Sequence, residues 1–262
     1  MPQPSYEQRY CAFIDILGFP ELIDKLTHGL ISFQSLQELL TRVLNPPPAT
    51  AGTDESADFR AQSISNAVAI SAAVNVKGIA SIIHSISRLA VELLAEGFFI
   101  RGAIVKDDLH HDDKMVFGNA LIQAYRIETS LVRFPRVMIT RSVVEDIDHK
   151  TASVLLRRSD DGPMFVHVLR AIEMEMLAVD YGKGKPRLRF DDQKFSGKLN
   201  RYVIIAEQIQ RRFDEAADNP NHFEKIKWFA SYWNDTIQEW NIEGFKRITG
   251  AGLDLRPPPW VD

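Results

Sequence analysis

Cysteine is nearly absent from this sequence. Cys11 is the single cysteine among 262 residues. One thiol can neither close a disulfide within the chain nor build the cysteine-rich ligand set of a structural zinc site. The sequence therefore excludes disulfide-stapled secreted domains and cysteine-rich zinc modules, and we expect a reducing, cytoplasmic location.

An excess of positive charge is also lacking. The chain has 31 Lys and Arg residues against 35 Asp and Glu residues, which gives a formal net charge of −4. Proteins that bind the phosphate backbone of nucleic acids carry a basic excess, so we expect no nucleic-acid partner. With 45 % apolar and 25 % charged residues, the composition is that of a globular protein and excludes a disordered chain.

Long apolar runs without charges are missing as well. The N-terminal residues have no apolar core, so we expect no secretory signal. The most apolar helix candidate, residues 78–97, carries His84, Arg88, Glu92 and Glu96 along one side. This pattern is typical of an amphipathic helix in a soluble protein, and we expect no membrane partner.

The order of apolar segments predicts an α+β fold with a mainly antiparallel sheet flanked by helices. The predicted strands are 11–16, a hairpin over 59–71 that turns at Ser65-Asn66, 98–106, 115–117, 136–140, 153–157 and 164–169. The predicted helices are 20–44 with a break near Gly29, 78–97, 119–131, 143–149, 199–216 and 222–240. The last two helices form a C-terminal helical extension. Between two predicted strands, His110 and His111 are expected at a solvated hairpin tip rather than in a metal site.

Asp15 is the first candidate for chemistry. Its carboxylate lies in an apolar strand, where burial is costly unless the group is paired or bound to metal. The strand ends at Gly18, and Pro20 opens a helix. Backbone N–H groups at a helix N-terminus favour phosphate, so the segment predicts a metal–nucleotide site. The alternative is a strand-end acid that hydrogen-bonds a neighbouring backbone.

A second candidate is the helix that follows Gly118. Arg126 lies eight residues into that helix, and its guanidinium fork suits phosphate oxygens. Leu121, Ala124, Tyr125 and Glu128 recur at helical spacing in the same helix. The alternative for Arg126 is a plain exposed helical arginine.

In this order, the segments resemble the class III nucleotide cyclase domain. Residues 11–19, CAFIDILGF, are similar to the first strand of that family with its metal-binding Asp. Asn66 stands where the family has a second metal Asp, and residues 117–126 are similar to its helix from a Gly to a transition-state Arg. The resemblance covers residues 8–145 and is greatest to the bacterial pyrimidine cyclases of Pycsar anti-phage defence.

The resemblance implies a cyclase-like catalytic domain at 8–145, additional strands at 146–195 and the helical extension at 196–262. It implies conversion of UTP to 3′,5′-cyclic UMP and pyrophosphate, as a second messenger read by a separate effector. It also implies two Mn²⁺ or Mg²⁺ ions per site and a homodimer with shared sites.

The same resemblance assigns roles to single residues. Catalysis falls to Asp15 and, from the partner chain, to Arg126. The metal ligands are Asp15, Asn66 and the Ile16 carbonyl. The predicted substrate-binding residues are Phe13, Leu17, Gly18, Phe19, Gln62, Arg101, Lys106 and Met115. Because side chains alternate along a strand, at most one of Arg101 and Lys106 is expected at the site.

Several positions depart from the family pattern. Asn66 brings an amide instead of a carboxylate, and Ile122 stands at the family's transition-state Asn, whose task would pass to Asn119 or Gln123. Gln62 and Met115 replace the adenine-reading Lys and Asp, which disfavours ATP, and the Gln62 amide suits uracil. The alternatives are therefore a degenerate cyclase domain that binds a nucleotide or a partner without turnover, and a cytidylate cyclase. An interaction module without a nucleotide site is a further alternative.

Overall fold

The structure is a computed structural model, and it describes residues 6–44, 56–172, 192–240 and 245–253. The chain divides into two compact units. The first comprises Met1–Ala90 and Phe98–Val168, and the second comprises Val91–Gly97 and Leu169–Asp262.

A mixed β-sheet forms the core of the first unit. Its strands are β1 (Glu7–Leu17), β2 (Arg60–Ile64), β3 (Ala67–Ala73), β4 (Phe99–His111), β5 (Val116–Phe117), β6 (Val137–Ile139), β7 (Leu156–Arg158) and β8 (Met164–Val166). Their order across the sheet is β2-β3-β1-β4-β6-β8-β7, and β5 pairs with β4. Only the β4–β6 pairing is parallel among those described.

The strand order places β1 in the middle, between β3 and β4, antiparallel to both. The chain thus forms two interleaved split βαβ units, in which each crossover skips one strand. The helices are α1 (Phe19–Thr27), α2 (Phe33–Leu44), α3 (Val76–Ala95), α4 (Asn119–Leu131), α5 (Arg141–Val144), α6 (His149–Leu155), α7 (Asp192–Glu215) and α8 (Pro220–Trp240). The predicted α+β fold with a mainly antiparallel sheet, flanking helices and C-terminal helices is confirmed.

Two glycines allow tight turns of the chain where α1 and α4 begin. Gly18 has φ of 85° before α1, and Gly118 has φ of 145° before α4. A Cβ on Gly118 would lie 2.6 Å from the Asp108 carbonyl oxygen, closer than real side chains come. Glycine therefore lets α4 start directly against β4.

The hairpin after β4 differs from the prediction. The strand extends to His111, five residues beyond the predicted end, and β1 begins at Glu7 rather than at residue 11. The longer β1 supplies partners for the polar residues of β4, with Glu7 opposite Leu109 and Arg9 opposite Asp107. Main-chain pairing and opposite charges across the strands thus override the polar composition that predicted a turn.

A second difference lies at residues 149–158. The predicted strand 153–157 is mostly helix α6, and β7 starts only at Leu156. The Asp148 side chain caps this helix by accepting a hydrogen bond from the Thr151 N–H at 3.0 Å. That cap favours helix over the strand preference of the following β-branched residues.

In the second unit, α7 and α8 bind the segment around Ile248 and Thr249 through two side-chain amides. Asn234 on α8 donates to the Ile248 carbonyl and accepts from the Ile248 N–H, each at 2.8 Å. Gln210 on α7 makes the same pair of bonds to Thr249, at 3.0 and 2.9 Å. Each amide thus satisfies a main-chain donor and acceptor as a neighbouring β-strand would.

Among the described helices, α3 alone is long and apolar enough to cross a membrane by length and composition. However, 67 % of the most apolar 18-residue stretch of this helix is buried inside the protein. Such burial is typical of a core helix in a soluble protein, in agreement with the sequence. The cytoplasmic location stays a prediction.

Candidate functional site

The candidate site begins with Asp15, near the end of the central strand β1. Asp15 lies opposite Ala67 of β3 and Arg101 of β4, and only 9 % of the residue is exposed. Its Oδ1 accepts a hydrogen bond from Asn66 Nδ2 at 2.5 Å, and its Oδ2 accepts one from Arg101 Nε at 3.2 Å. Each oxygen of this carboxylate therefore has a partner, as burial of a charge requires.

Arg101 lies between two carboxylates. Besides its bond to Asp15, its Nε is 2.6 Å from Oε1 of Glu128 on α4. Nε carries a single hydrogen, which points to Asp15, and Glu128 Oε1 accepts no hydrogen bond from a described residue. The contact between Arg101 and Glu128 is thus a close ion pair without a hydrogen bond.

Glu128 is almost fully buried, with 2 % of the residue exposed. Burial raises the pKa of its carboxyl, Arg101 lowers it, and the nearby Asp15 charge raises it further. The net effect is a raised pKa. The sequence placed Glu128 on the apolar side of its helix without a role. That position could have indicated a buried ion pair. Glu128 lies one helical turn after Ala124, and a charged carboxylate on a buried helix face needs a cation beside it.

Asn66 reaches Asp15 because of the tight turn between β2 and β3. Ser65 has φ of 55°, and the Asn66 carbonyl accepts a hydrogen bond from the Ile16 N–H at 3.0 Å. The predicted hairpin turn at these residues is confirmed. Since a carboxylate only accepts, the amide nitrogen of Asn66 faces Asp15 and its oxygen lies on the opposite side of the amide group.

The turn at Leu17, Gly18 and Phe19 leads into α1 as predicted. Pro20 lies in the first turn and has no N–H, and Glu21 adds a carboxylate there. Both features weaken the attraction of this helix N-terminus for phosphate. The turn lies directly after Asp15 and Ile16, so the charge of any phosphate bound here has to be offset by other cations.

Two more predicted residues lie on the same sheet face as Asp15. In the strand register, Gln62 is opposite Ala69, which is opposite Phe13, two residues before Asp15. The Phe13 ring contacts Tyr125 of α4 edge-on at 5.5 Å between centroids. Oε1 of Gln62 is buried and has no hydrogen-bond partner among the described residues. It is an acceptor without a donor, as a residue that reads a ligand would be.

Three predicted residues lie away from this cluster. Lys106 is on the other face of β4, where it contacts Oδ2 of Asp146 at 2.6 Å. Met115 is half exposed in the turn after β4. Arg126 is exposed on α4, two residues and therefore about 200° around the helix from Glu128. The structure thus brings Arg101, and not Lys106, to Asp15.

The donor set decides which cation the site can hold. The described residues include no group of three or more His, Cys, Asp or Glu side chains suited to a metal. Asp15, Asn66 and the Ile16 carbonyl remain, and Mg²⁺ is commonly held by one or two carboxylates together with substrate phosphates. Because the Asn66 oxygen lies away from Asp15, the set offers one carboxylate as arranged. It fits at most one divalent ion, held jointly with nucleotide phosphates once the Asn66 amide turns over, and is short of ligands for two.

The histidines of the β4 hairpin correct another expectation. His110 and His111 are 8 % and 6 % exposed, so the solvated tip is wrong. His111 Nδ1 lies 2.8 Å from Ser71 Oγ, which accepts a hydrogen bond from Arg9. Burial, and then the Arg9 charge, lower the pKa of His111 to about 4, so the ring is neutral and structural at neutral pH.

Comparison with models of protein families and with curated proteins finds no match for this chain.

Proposed function

We propose that this protein is a pyrimidine nucleotide cyclase that converts UTP to 3′,5′-cyclic UMP and pyrophosphate. The observation that carries the proposal is the convergence of Asp15, Asn66, Arg101, Phe13 and Gln62 on one sheet face, beside the turn at Gly18. The site combines a buried carboxylate, a cation, an aromatic ring and an unpaired amide acceptor, which suits a nucleotide better than an apolar ligand.

Gln62 and Phe13 supply the base preference. The buried Gln62 Oε1 lacks a donor, and the N3–H of uracil would provide one while the amide N–H₂ meets a uracil carbonyl. The Phe13 ring offers an apolar face to a flat base. The N4 amino group of cytosine could also donate to Gln62, so cytidylate cyclase activity is a separate arm of the test.

The reaction requires the ribose 3′-oxygen to bond the α-phosphorus in line with the bond to pyrophosphate that breaks, while the hydroxyl proton passes to solvent. Asp15, Asn66 and the Ile16 carbonyl would hold the divalent ion, which when bound lowers the pKa of the hydroxyl and offsets phosphate charge. The Leu17–Phe19 turn positions the terminal phosphates, and Arg101 balances negative charge on the sheet side.

Arg126 would act on a second copy of the chain. It is exposed on the side of α4 away from Asp15 of its own chain, and the neighbouring Ile122 and Tyr125 are exposed apolar residues, 49 % and 52 % accessible. A partner that covers this apolar face would receive Arg126 at its α-phosphate. A homodimer with two shared sites would both cover the apolar face of α4 and bring Arg126 to the site of the partner chain.

The test incubates purified protein with each of the four ribonucleoside triphosphates and Mn²⁺, and separates products by chromatography with mass detection. We expect cyclic UMP from UTP, and loss of product in Asp15→Ala. The matched control is Arg141→Ala, whose side chain is 92 % exposed and pairs with Glu145 one turn away. Absence of any cyclic product from the unaltered chain contradicts the proposal.

A second candidate function is nucleotide binding without turnover. It is favoured by the amide nitrogen of Asn66 at Asp15, where the cyclase family has a second carboxylate, and by the Arg101 cation on the same group. UTP binding measured by calorimetry, with no cyclic product, identifies this case. Asn66→Asp then restores turnover if the amide is what prevents it.

The proposed role in bacterial anti-phage defence is tested in cells. Co-expression of the unaltered chain with an effector that responds to cyclic UMP is expected to reduce phage plaques, and Asp15→Ala is expected to abolish the reduction. Equal plaque counts for both proteins would contradict signalling through this site.

A further inference from the structure

We infer that helices α7 and α8 form a peptide-binding groove, that residues 245–250 occupy it in cis, and that it accepts a segment of the same chemistry from another protein. The recognised sequence has an aromatic residue, an aliphatic residue three positions later and a glycine two positions after that, with basic residues between the first two. The groove and its occupant both belong to the second unit. The inference goes beyond the proposed function and does not depend on it.

The helices bind the segment through four hydrogen bonds from side-chain amides to its backbone. Asn234 of α8 engages both the N–H and the C=O of Ile248, and Gln210 of α7 engages both groups of Thr249, all between 2.8 and 3.0 Å. Every peptide has these backbone groups, so such bonds supply affinity for any sequence, while pockets for side chains supply specificity.

The first pocket is aromatic and holds Phe245. The Phe245 ring lies 6.0 Å from the ring of Tyr202, 6.1 Å from that of Trp233 and 5.5 Å from that of Trp240, between centroids. Trp233 Nε1 also donates a hydrogen bond to the Lys246 carbonyl at 3.0 Å. The pocket therefore selects a flat apolar side chain and fixes the backbone next to it.

Two further positions of the segment are selected by packing. Ile248 is 2 % exposed, so the second pocket takes an aliphatic side chain. Gly250 has φ of 150°, and a Cβ there would lie 2.3 Å from Cε1 of Phe213 on α7. Only glycine passes this ring in that conformation. Phe245, Ile248 and Gly250 thus define the recognised pattern.

The segment lies at the surface of its unit. Lys246 and Thr249 are exposed, and the Lys246 side chain is 66 % accessible. Among the six residues 245–250, Ile248 alone is buried. A segment with one buried anchor and an open outer side can leave its groove more readily than a strand inside a core.

The segment also leaves part of the groove unfilled. A cleft of about 430 Å³ lies between it and α7, lined by the acids Glu207, Asp214 and Glu215, by Arg211 and by residues of the segment. Lys246 Nζ lies 3.5 Å from Glu207 Oε1. The acidic lining favours basic residues in the ligand, and the open space admits larger side chains than those of the internal segment.

A segment that only completes the fold would behave differently, because no free peptide would replace it and its release would unfold the helices. An internal ligand competes with free peptide instead. Residues 241–244 tether it to α8, and a short tether gives an effective concentration on the order of millimolar. Cutting the tether should therefore raise the affinity for free peptide and leave the helices folded.

The experiment uses the full chain with a protease site inserted after residue 242, cut once the protein has folded. The probe is a fluorescent peptide of residues 245–253, and anisotropy measures its binding at protein concentrations below the dissociation constant. We expect micromolar binding to the cut protein and at least about tenfold weaker binding to the uncut protein. Cut Asn234→Ala loses two backbone bonds and is expected to bind about tenfold more weakly than the cut unaltered chain.

The matched control is Asn221→Ala, an exposed asparagine near the start of α8, which should leave peptide binding unchanged. A probe peptide with Ile248→Asp should not bind. If Asn234→Ala does not fold, Gln210→Ala removes the corresponding bonds to Thr249 from a more exposed position. Equal binding of both peptides, or by the cut variant and the cut unaltered chain, overturns the inference.

Two measurements separate the other outcomes. Circular dichroism follows the cut protein, and loss of its helices or failure of the probe to exchange assigns the segment to the fold and overturns the inference. Selection from a random peptide library on the cut protein should enrich the pattern aromatic–x–x–aliphatic–x–glycine, and enrichment of unrelated sequences contradicts it. Oligomers of the uncut chain that Ile248→Asp dissociates would assign the groove to a second copy of this chain instead of another protein.

Discussion

Buried arginines in the first unit are each matched by a carboxylate on another part of the chain. Arg136 is an example separate from Arg101. Its side chain is 1 % exposed, and both of its terminal nitrogens donate hydrogen bonds to Asp161. The bidentate pair joins the start of β6 to the turn between β7 and β8. Such pairs position elements, and breaking one leaves a buried charge without its partner.

Asp161→Asn is expected to lower the free energy of unfolding by about 2 kcal/mol, because Arg136 keeps its charge and loses a charged acceptor. The Arg136 hydrogen bonds lower the pKa of Asp161 below its ordinary 3.8. Urea unfolding at pH 6 measures the difference between the two proteins. Asp160→Asn, a neighbouring exposed acid, is the control and should leave stability unchanged.

The pH dependence of that pair has a definite sign. A carboxyl whose pKa is lowered by folding contributes stability above its unfolded-state pKa, and the contribution is lost as the pH falls through the lower folded-state pKa. The stability difference between the unaltered protein and Asp161→Asn should therefore shrink below about pH 4. A difference that stays constant down to pH 2 would contradict an ionised pair.

At this scale, sequence could predict residues whose chemistry is visible in their own segment. Asp15 is an acid in an apolar strand, and Asn66 lies in a recognisable turn. Glu128 received no role because it lies on helix α4 and its partner, Arg101, lies on strand β4. His111 was misplaced for the same reason, since the polar residues around it suggested water while Ser71 and Arg9 come from other strands.

The elements follow sequence where glycine or a tight turn sets their limits. Helix α4 spans the predicted residues, 119–131, because Gly118 fixes its start. The Ser65-Asn66 turn fixes the β2–β3 hairpin in the same way. By contrast, β4 extends beyond its predicted end because β1 is longer, and the length of a strand depends on its neighbour.

Gly118→Ala is expected to destabilise the protein by about 2 kcal/mol or more, since φ of 145° and the nearby Asp108 carbonyl both oppose a Cβ. Gly162→Ala is the matched control: φ is 104°, but nothing lies within 4 Å of the added carbon. Thermal unfolding compares the two variants. An equal loss in both would show that close packing at α4 contributes little.

Asn234→Ala is expected to release the segment at Ile248 from α8, because the buried amide loses both main-chain bonds at once. Hydrogen exchange of the Ile248 amide should accelerate. Gln210→Ala removes a similar pair of bonds at Thr249 in a more exposed position, so its effect should be smaller. If Gln210→Ala accelerated amide exchange more than Asn234→Ala, the expectation that the more buried amide matters more would be wrong.

For the whole molecule, a net charge of −4 argues against a broad phosphate-backbone surface and is compatible with one polyanionic ligand. Under the proposed function, the positive charge that a nucleotide needs would come from placed groups such as Arg101 and from a divalent ion. Composition therefore argues only against a nucleic-acid partner. The strand register is what brings the side chains of the candidate site together.

The proposed homodimer gives a further prediction at this scale. Ile122→Glu places a charge on the exposed apolar face of α4 and is expected to convert a dimer into monomers, measured by light scattering after size exclusion. Val154→Glu, on an exposed position of α6, is the control and should leave the mass unchanged. A dimer that survives Ile122→Glu would contradict an interface on this face.

The division of helix α3 has a practical consequence for dissecting the protein. Residues Val91–Gly97 group with the second unit although residues before and after them belong to the first. The second unit is therefore discontinuous in sequence, and no single cut of the chain separates the two units intact. A fragment ending near residue 168 would retain Leu93 and Leu94 without the rest of their unit. Aggregation of such a fragment would therefore report an ill-chosen boundary rather than an unstable first unit.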